Sequence, residues 1–181
     1  MHDGYEARLD DRLGRREPML AERRSEDSSW QPRRTGRSAF RTAAAPADPW
    51  LTNWLASRAH GFPEWSAATG RADDLDFSPE SLLTLEQIVR RRIPAREALH
   101  EPVHDDFVQG AIWYLGEIAR RHRGARWRYT PDPTGTSRNP YVGRPFVEQD
   151  DGNDAIPLLE LEAAVLSDET GVLLDRFEVF D

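Results

Sequence analysis

The segment H-E-P-V-H-D-D, residues 100–106, holds the residue types best suited to metal chemistry. His100 and His104 stand four apart, with Glu101, Asp105 and Asp106 beside them. On one continuous helix that spacing puts two imidazoles on one face, where a carboxylate such as Asp105 could complete a divalent-cation site. Pro102 breaks the helix between them, because it lacks an N–H and clashes with the preceding turn. His104 or Asp105 then reads better as the N-cap of the helix that follows, its acids favoured by the helix dipole. The expectation is therefore no metal and no cofactor.

Glu117, inside G-A-I-W-Y-L-G-E-I-A-R-R-H-R-G-A-R-W (residues 110–127), is the second candidate. A carboxylate held in an apolar pocket can act as a general acid, whereas one at the edge of a helix forms ordinary ion pairs. At about 100° per residue, Phe107, Val108, Ala111, Ile112, Tyr114, Leu115, Ile118 and Ala119 share an arc roughly 160° wide. Glu117 lies off that arc, on a strip with Gly110, Trp113 and Arg121. Its i, i+4 pairing with Arg121 favours the edge. Trp113 on the same strip is either covered by the tryptophan-rich first helix or exposed as a contact residue, since Trp and Arg are enriched at interface hot spots.

Other reaction signatures are missing. G-T-S-R-N-P (residues 135–140) lacks the spacing and the Lys of a phosphate loop, and no G-x-S-x-G nucleophile turn occurs. No carboxylate pair is set apart by apolar surroundings as glycoside hydrolysis requires.

The elements that must position these residues begin after Pro46. A-D-P-W-L-T-N-W-L-A-S-R-A-H-G starts a helix with Asp48 as N-cap and Pro49 at its first position. Trp50, Leu51, Trp54 and Leu55 supply an aromatic face, and the helix is expected to close near Gly61. The loop after it carries Phe62 and Trp65, which should pack down. A second helix follows Ser78 as N-cap and Pro79 at N1, with Phe77 as a hydrophobic staple to Leu82. Leu82, Leu85, Ile88, Val89 and Ile93 form its buried stripe, and Pro94 ends it.

The third helix, about Asp105 to His122, stops at Gly124. A-R-W-R-Y-T-P then reads as a strand, and Y-V-G-R-P-F-V-E-Q as a second whose Pro145 calls for an edge position. A-I-P-L-L-E-L-E-A-A-V-L is ambiguous between strand and helix, with composition favouring helix; T-G-V-L-L-D-R-F-E-V-F leans the same way. The fold class expected is α+β: three or four amphipathic helices packed with a small antiparallel sheet, from Ala47 to Asp181. Residues 1–46 read as a flexible, disordered or marginally helical arm, because they carry ten Arg and eight acids but few large apolar residues.

Charge separates the remaining function classes. The chain's net charge is -8, and residues 148–181 hold eleven acids against one Arg, Arg176. A general nucleic-acid binder needs the opposite balance. Arg90, Arg91 and Arg92 and the pair Arg120 and Arg121 could touch phosphates, but such runs are more often solvated helix ends. All 24 basic residues are Arg and there is no Cys, so thiolate catalysis and Cys-zinc sites are excluded. No apolar run approaches the length of a membrane span and no leader is evident, which points to the cytoplasm and away from membrane partners.

L-D-F-S-P-E-S-L-L-T-L-E-Q-I-V, then Y-L-G-E, then G-A-R-W resembles a group of uncharacterised proteins from high-GC bacteria. The resemblance spans roughly residues 74–166. It implies a small α+β domain in which the helix carrying Tyr114, Leu115, Gly116 and Glu117 leads directly into the strand with Trp127. Trp113 departs from the small residue or Tyr expected there, and activity is not implied.

The function expected is a non-catalytic protein-binding module. One version is an immunity- or antitoxin-like inhibitor whose acidic face, including Asp150, Asp151, Glu160 and Glu162, covers a basic partner. A second is an accessory subunit that uses the arm and a strip of Trp113, Glu117 and Arg121. The third is a metal-dependent enzyme built on His100 and His104.

Overall fold

The computed structural model describes residues 48–180; the expected N-terminal arm lies outside them. Helix α1, Pro49–Thr69, opens as its sequence dictates: the Asp48 carboxylate accepts the Trp50 and Leu51 N–H groups at 2.8 and 3.2 Å, with Pro49 in the first turn. It does not close at Gly61. It runs through Gly61 and Pro63 and ends at Gly70, whose φ of 72° suits a left-handed cap. The second half persists because Phe62 and Trp65 are anchored. Phe62 meets Phe77, Trp113 and Tyr114, while Trp65 meets Phe107 and donates its indole N–H to the Phe107 carbonyl at 3.1 Å. Several aromatic contacts, each adding about 0.5–1.5 kcal/mol beyond area burial, offset the one backbone hydrogen bond lost at Pro63.

Helix α2, Ser81–Arg92, starts later than expected, with Glu80 and not Ser78 at its N-cap position; Ser78 Oγ instead accepts the Ser81 N–H in the tight turn before it. Leu82, Leu85, Ile88, Val89 and Ile93 are all buried. Two 3-10 turns, Arg96–His100 and Pro102–His104, lead to helix α3, Asp105–His122. Pro102 thus separates the two histidines, and His104 takes the N-cap position.

Helix α3 is the centre of the fold and packs on α1, α2, α4 and two strands. Every residue from Gly110 to Ala119 is buried. An apolar arc of 160° was therefore too narrow an expectation: α3 is enclosed on all sides. Its close neighbours depend on two glycines. A Cβ at Gly110 would lie 2.1 Å from the Trp65 Nε1, and one at Gly116 would lie 2.2 Å from the Trp127 ring.

The sheet is antiparallel, in the order β1 (Arg126–Tyr129), β2 (Pro145–Glu148), β3 (Asp154–Ala155). Trp127 faces Val147 and Tyr129 faces Pro145. The edge position expected for the Pro145 strand is corrected: β2 is central. Pro145 is tolerated because it is the first residue of β2 and β3 pairs only with Val147 and Glu148. Helices α4, Pro157–Leu166, and α5, Val172–Glu178, complete an α+β fold. The α5 N-terminus has only Gly171 as its cap, and Glu86 of α2 takes over that role: its carboxylate accepts the Gly171 and Leu173 N–H groups at 3.0 and 2.9 Å. Arg90 pairs with Glu86 and donates to the Ser167 and Glu169 carbonyls, holding the α4–α5 turn.

Two interior glycines of neighbouring helices, Gly61 of α1 and Gly110 of α3, should respond oppositely to alanine. A Cβ at Gly61 meets nothing within 4 Å, so Gly61→Ala should stabilise by up to about 1 kcal/mol through helix propensity. Gly110→Ala must displace Trp65 and should cost about 1–3 kcal/mol or more. Urea denaturation of both variants checks the sign.

Candidate functional site

Glu117 is not at an edge. Its side chain is 8% exposed, and its carboxylate faces Trp127 and the last turns of its own helix. The Trp127 indole donates to Oε1 at 2.9 Å; Arg120 donates from Nε to both oxygens at 3.0 Å and from Nη2 to Oε2 at 2.8 Å. Arg121, the partner expected from i, i+4 spacing, stands farther away at 3.7 Å. Its guanidinium instead lies 3.5 Å over the Phe77 ring. Burial pushes the Glu117 carboxyl upward, but the Arg120 and Trp127 hydrogen bonds and the two Arg charges outweigh it and leave the group below its ordinary 4.5. A carboxylate held ionised and filled with donors does not deliver a proton; it fastens β1 to α3.

Trp113 is 5% exposed, enclosed by Phe62 and Phe77. Covering by the first helix is the arrangement found, and the exposed contact strip of Trp113, Glu117 and Arg121 does not form. The aromatic cluster is closed by Tyr114, whose hydroxyl accepts the Phe77 N–H at 3.0 Å and bonds Ser81 Oγ at 2.6 Å.

The acidic face is also smaller than expected. Glu160 and Glu162 are 7% and 6% exposed. Glu160 receives Arg176, and burial still raises its carboxyl above the ordinary value. Glu162 receives Arg96 at 2.8 Å and His100 Nε2 at 3.2 Å. Helix α4 therefore turns these acids inward, toward cations on other elements. Asp150 and Asp151 are exposed, Asp150 in a pair with Arg126 at 2.8 Å.

His100 is thus committed to Glu162, while Asp105 accepts from Gln109 within α3. Among the described residues no group of three or more His, Asp or Glu side chains is placed to hold a metal ion. The Arg runs divide as well. Arg90 is spent on the α4–α5 turn, Arg91 and Arg92 are exposed, and Arg92 sits over the Phe107 ring at 4.7 Å. No helix among the described residues is long and apolar enough to cross a membrane.

The structure adds a groove of about 470 Å³ between α1 and the α3–β1 junction. Leu51, Leu55, Ala125 and Trp127 supply apolar walls. Thr52, Arg120 and Arg126 supply polar groups around them. Trp50 stands on the same turn of α1 as Leu51 and is 44% exposed, stacked between Trp54 at 6.0 Å and Tyr129 at 4.2 Å. These residues were visible in the sequence as a helix face and a strand, but nothing in either segment indicated that they meet. No family model matches the chain, and no curated protein or solved structure matches it.

Glu117→Gln keeps an acceptor for Trp127 and loses the ion pair, so it should lower stability at pH 7 by about 1–3 kcal/mol. Because the folded carboxyl lies below 4.5, its contribution is present above that pH and lost as pH falls through the lower folded value. The gap between wild type and variant should accordingly narrow below pH 4.5. Denaturation curves at a series of pH values check this; a gap that widens on acidification contradicts it.

Proposed function

We propose that this chain is a non-catalytic protein-binding module that engages its partner through the groove between α1 and the α3–β1 junction. The observation that carries the proposal is the pairing of that solvent-open, aromatic-walled groove with a half-exposed Trp50 beside it. Trp and Arg around an apolar depression are the residue types that dominate binding hot spots. The buried carboxylates Glu86, Glu117, Glu160 and Glu162 all have internal donors, so each is engaged within the fold. A cytoplasmic location belongs to the same proposal.

The likeness to uncharacterised proteins from high-GC bacteria is proposed in turn to be a likeness of fold. The shared Y-L-G-E and G-x-x-W stretches supply Gly116, Glu117 and Trp127, which make one packed unit here.

An acidic inhibitor of a basic protein is the second reading. Its support is the exposure of Asp168, Glu169, Asp175 and Glu178 around the α4–α5 turn and α5, in place of Glu160 and Glu162. Association by that surface would be screened by salt.

A pull-down of the tagged full-length chain from native lysate at low and high salt, with Thr52→Arg and Asp175→Arg/Glu178→Arg variants, separates the two. A stoichiometric partner lost with Thr52→Arg supports the groove. One lost at high salt and with the α5 variant supports the acidic surface instead. No stoichiometric partner in any condition contradicts a binding module.

A further inference from the structure

The groove is lined by two cations whose partner acids, Glu117 and Asp150, lie outside its lining, and this bears on what it can hold. The protein carries a net charge of -8, yet the residues lining the groove include two guanidinium groups, Arg120 and Arg126, and no carboxylate. Its apolar surfaces come from Leu51 and Leu55 of α1 and the Trp127 indole of β1. A volume of about 470 Å³ lies within the range of preformed ligand pockets and accommodates a few side chains.

Both cations have capacity left for a ligand. Arg120 spends Nε and Nη2 on Glu117, and its Nη1 makes no hydrogen bond among the described residues. Arg126 meets Asp150 through both Nη1 and Nη2, at 2.8 and 3.1 Å, but both side chains are largely exposed, at 59% and 77%. Such a surface pair is worth about 0–1 kcal/mol and yields readily to a competing carboxylate on a less exposed site. Arginine forks match carboxylates bidentately, and their binding strengthens beside apolar walls that exclude water.

We propose that the groove binds a peptide segment of a partner protein in which an Asp or Glu stands next to an aliphatic or aromatic residue. The apolar side chain enters between Leu51, Leu55 and Trp127, and the carboxylate meets Arg126 and Arg120. This rests on the binding-module proposal and names the chemistry of its partner. Single-stranded nucleic acid fits less well. The chain's overall negative charge repels a polyphosphate.

The test is selection of random twelve-residue peptides displayed on phage against the immobilised full-length chain. It is followed by titration of the selected synthetic peptides, and of a twenty-nucleotide oligo-dT, into the labelled protein by NMR. Thr52→Arg fills the groove and Arg126→Glu reverses its charge; both positions are exposed, so the amide spectrum should show an intact fold. The expected result is enrichment of peptides pairing Asp or Glu with Leu, Ile, Val or Phe. Their binding should move the Ala125 and Trp127 resonances and weaken at least tenfold in each variant. Peptides of another chemistry, or acidic peptides indifferent to both variants, overturn this inference and leave the binding module standing. Binding of oligo-dT in the groove with no peptide selected, or no ligand of either kind, overturns both.

Discussion

The Trp127 indole lies on the bare backbone of α3 at Gly116 and donates its N–H to the buried Glu117 carboxylate, the next residue on that helix. The three groups specify one another. Without a glycine the ring could not approach; without the carboxylate a buried indole N–H would lack its acceptor; without Trp127 and Arg120 the carboxylate would be buried without compensation. The contact fixes β1 against the central helix and, through β1, the register of β2 and β3. It also sets the wall of the groove, since the same indole that fills the notch in α3 faces Leu51 and Leu55 of α1.

A similar economy governs the other buried acids. Glu86 replaces the missing side-chain cap of α5, and Glu162 gathers Arg96 and His100 from the segment between α2 and α3. Glu160 holds Arg176 of α5 against α4. Each carboxylate ties one element to another, which explains how a chain rich in Arg and acids can build a core. Removing one member of such a pair leaves an uncompensated buried charge, which is the costly change. Internal use of the acids also reduces the negative surface available to a partner. The groove is then lined by two cations, Arg120 and Arg126, whose partner acids Glu117 and Asp150 lie outside the lining.

Much of this fold was legible in local sequence. The Asp48-Pro49 start, the Gly124 stop and the apolar stripe of α2 all reflect short-range rules of capping and periodicity. What was not legible depended on tertiary contact. Phe62 and Trp65 carry α1 past Gly61 and Pro63 because α3 offers them a surface, which local propensity does not register. The two-residue strand β3 is too short for any alternation pattern to reveal it. Glu117, Glu160 and Glu162 looked exposed because a single sequence does not show which Arg or Trp will cover a carboxylate. Trp127 and Glu117 did stand in one recognisable pattern, but the glycine between their contacts was visible only as a spacing. His100 and His104 were correctly separated by Pro102, since proline acts on its own helix and needs no distant partner.

The most direct measurement is hydrogen exchange of the Trp127 indole N–H, assigned with Trp127→Phe in protein carrying ¹⁵N-labelled tryptophan. If this hydrogen bond anchors β1 to α3, the proton should exchange about as slowly as the best-protected amides of α3, through global unfolding. Exchange on the timescale of a solvent-exposed indole would contradict the account, because the groove wall and the sheet would then lack their common anchor.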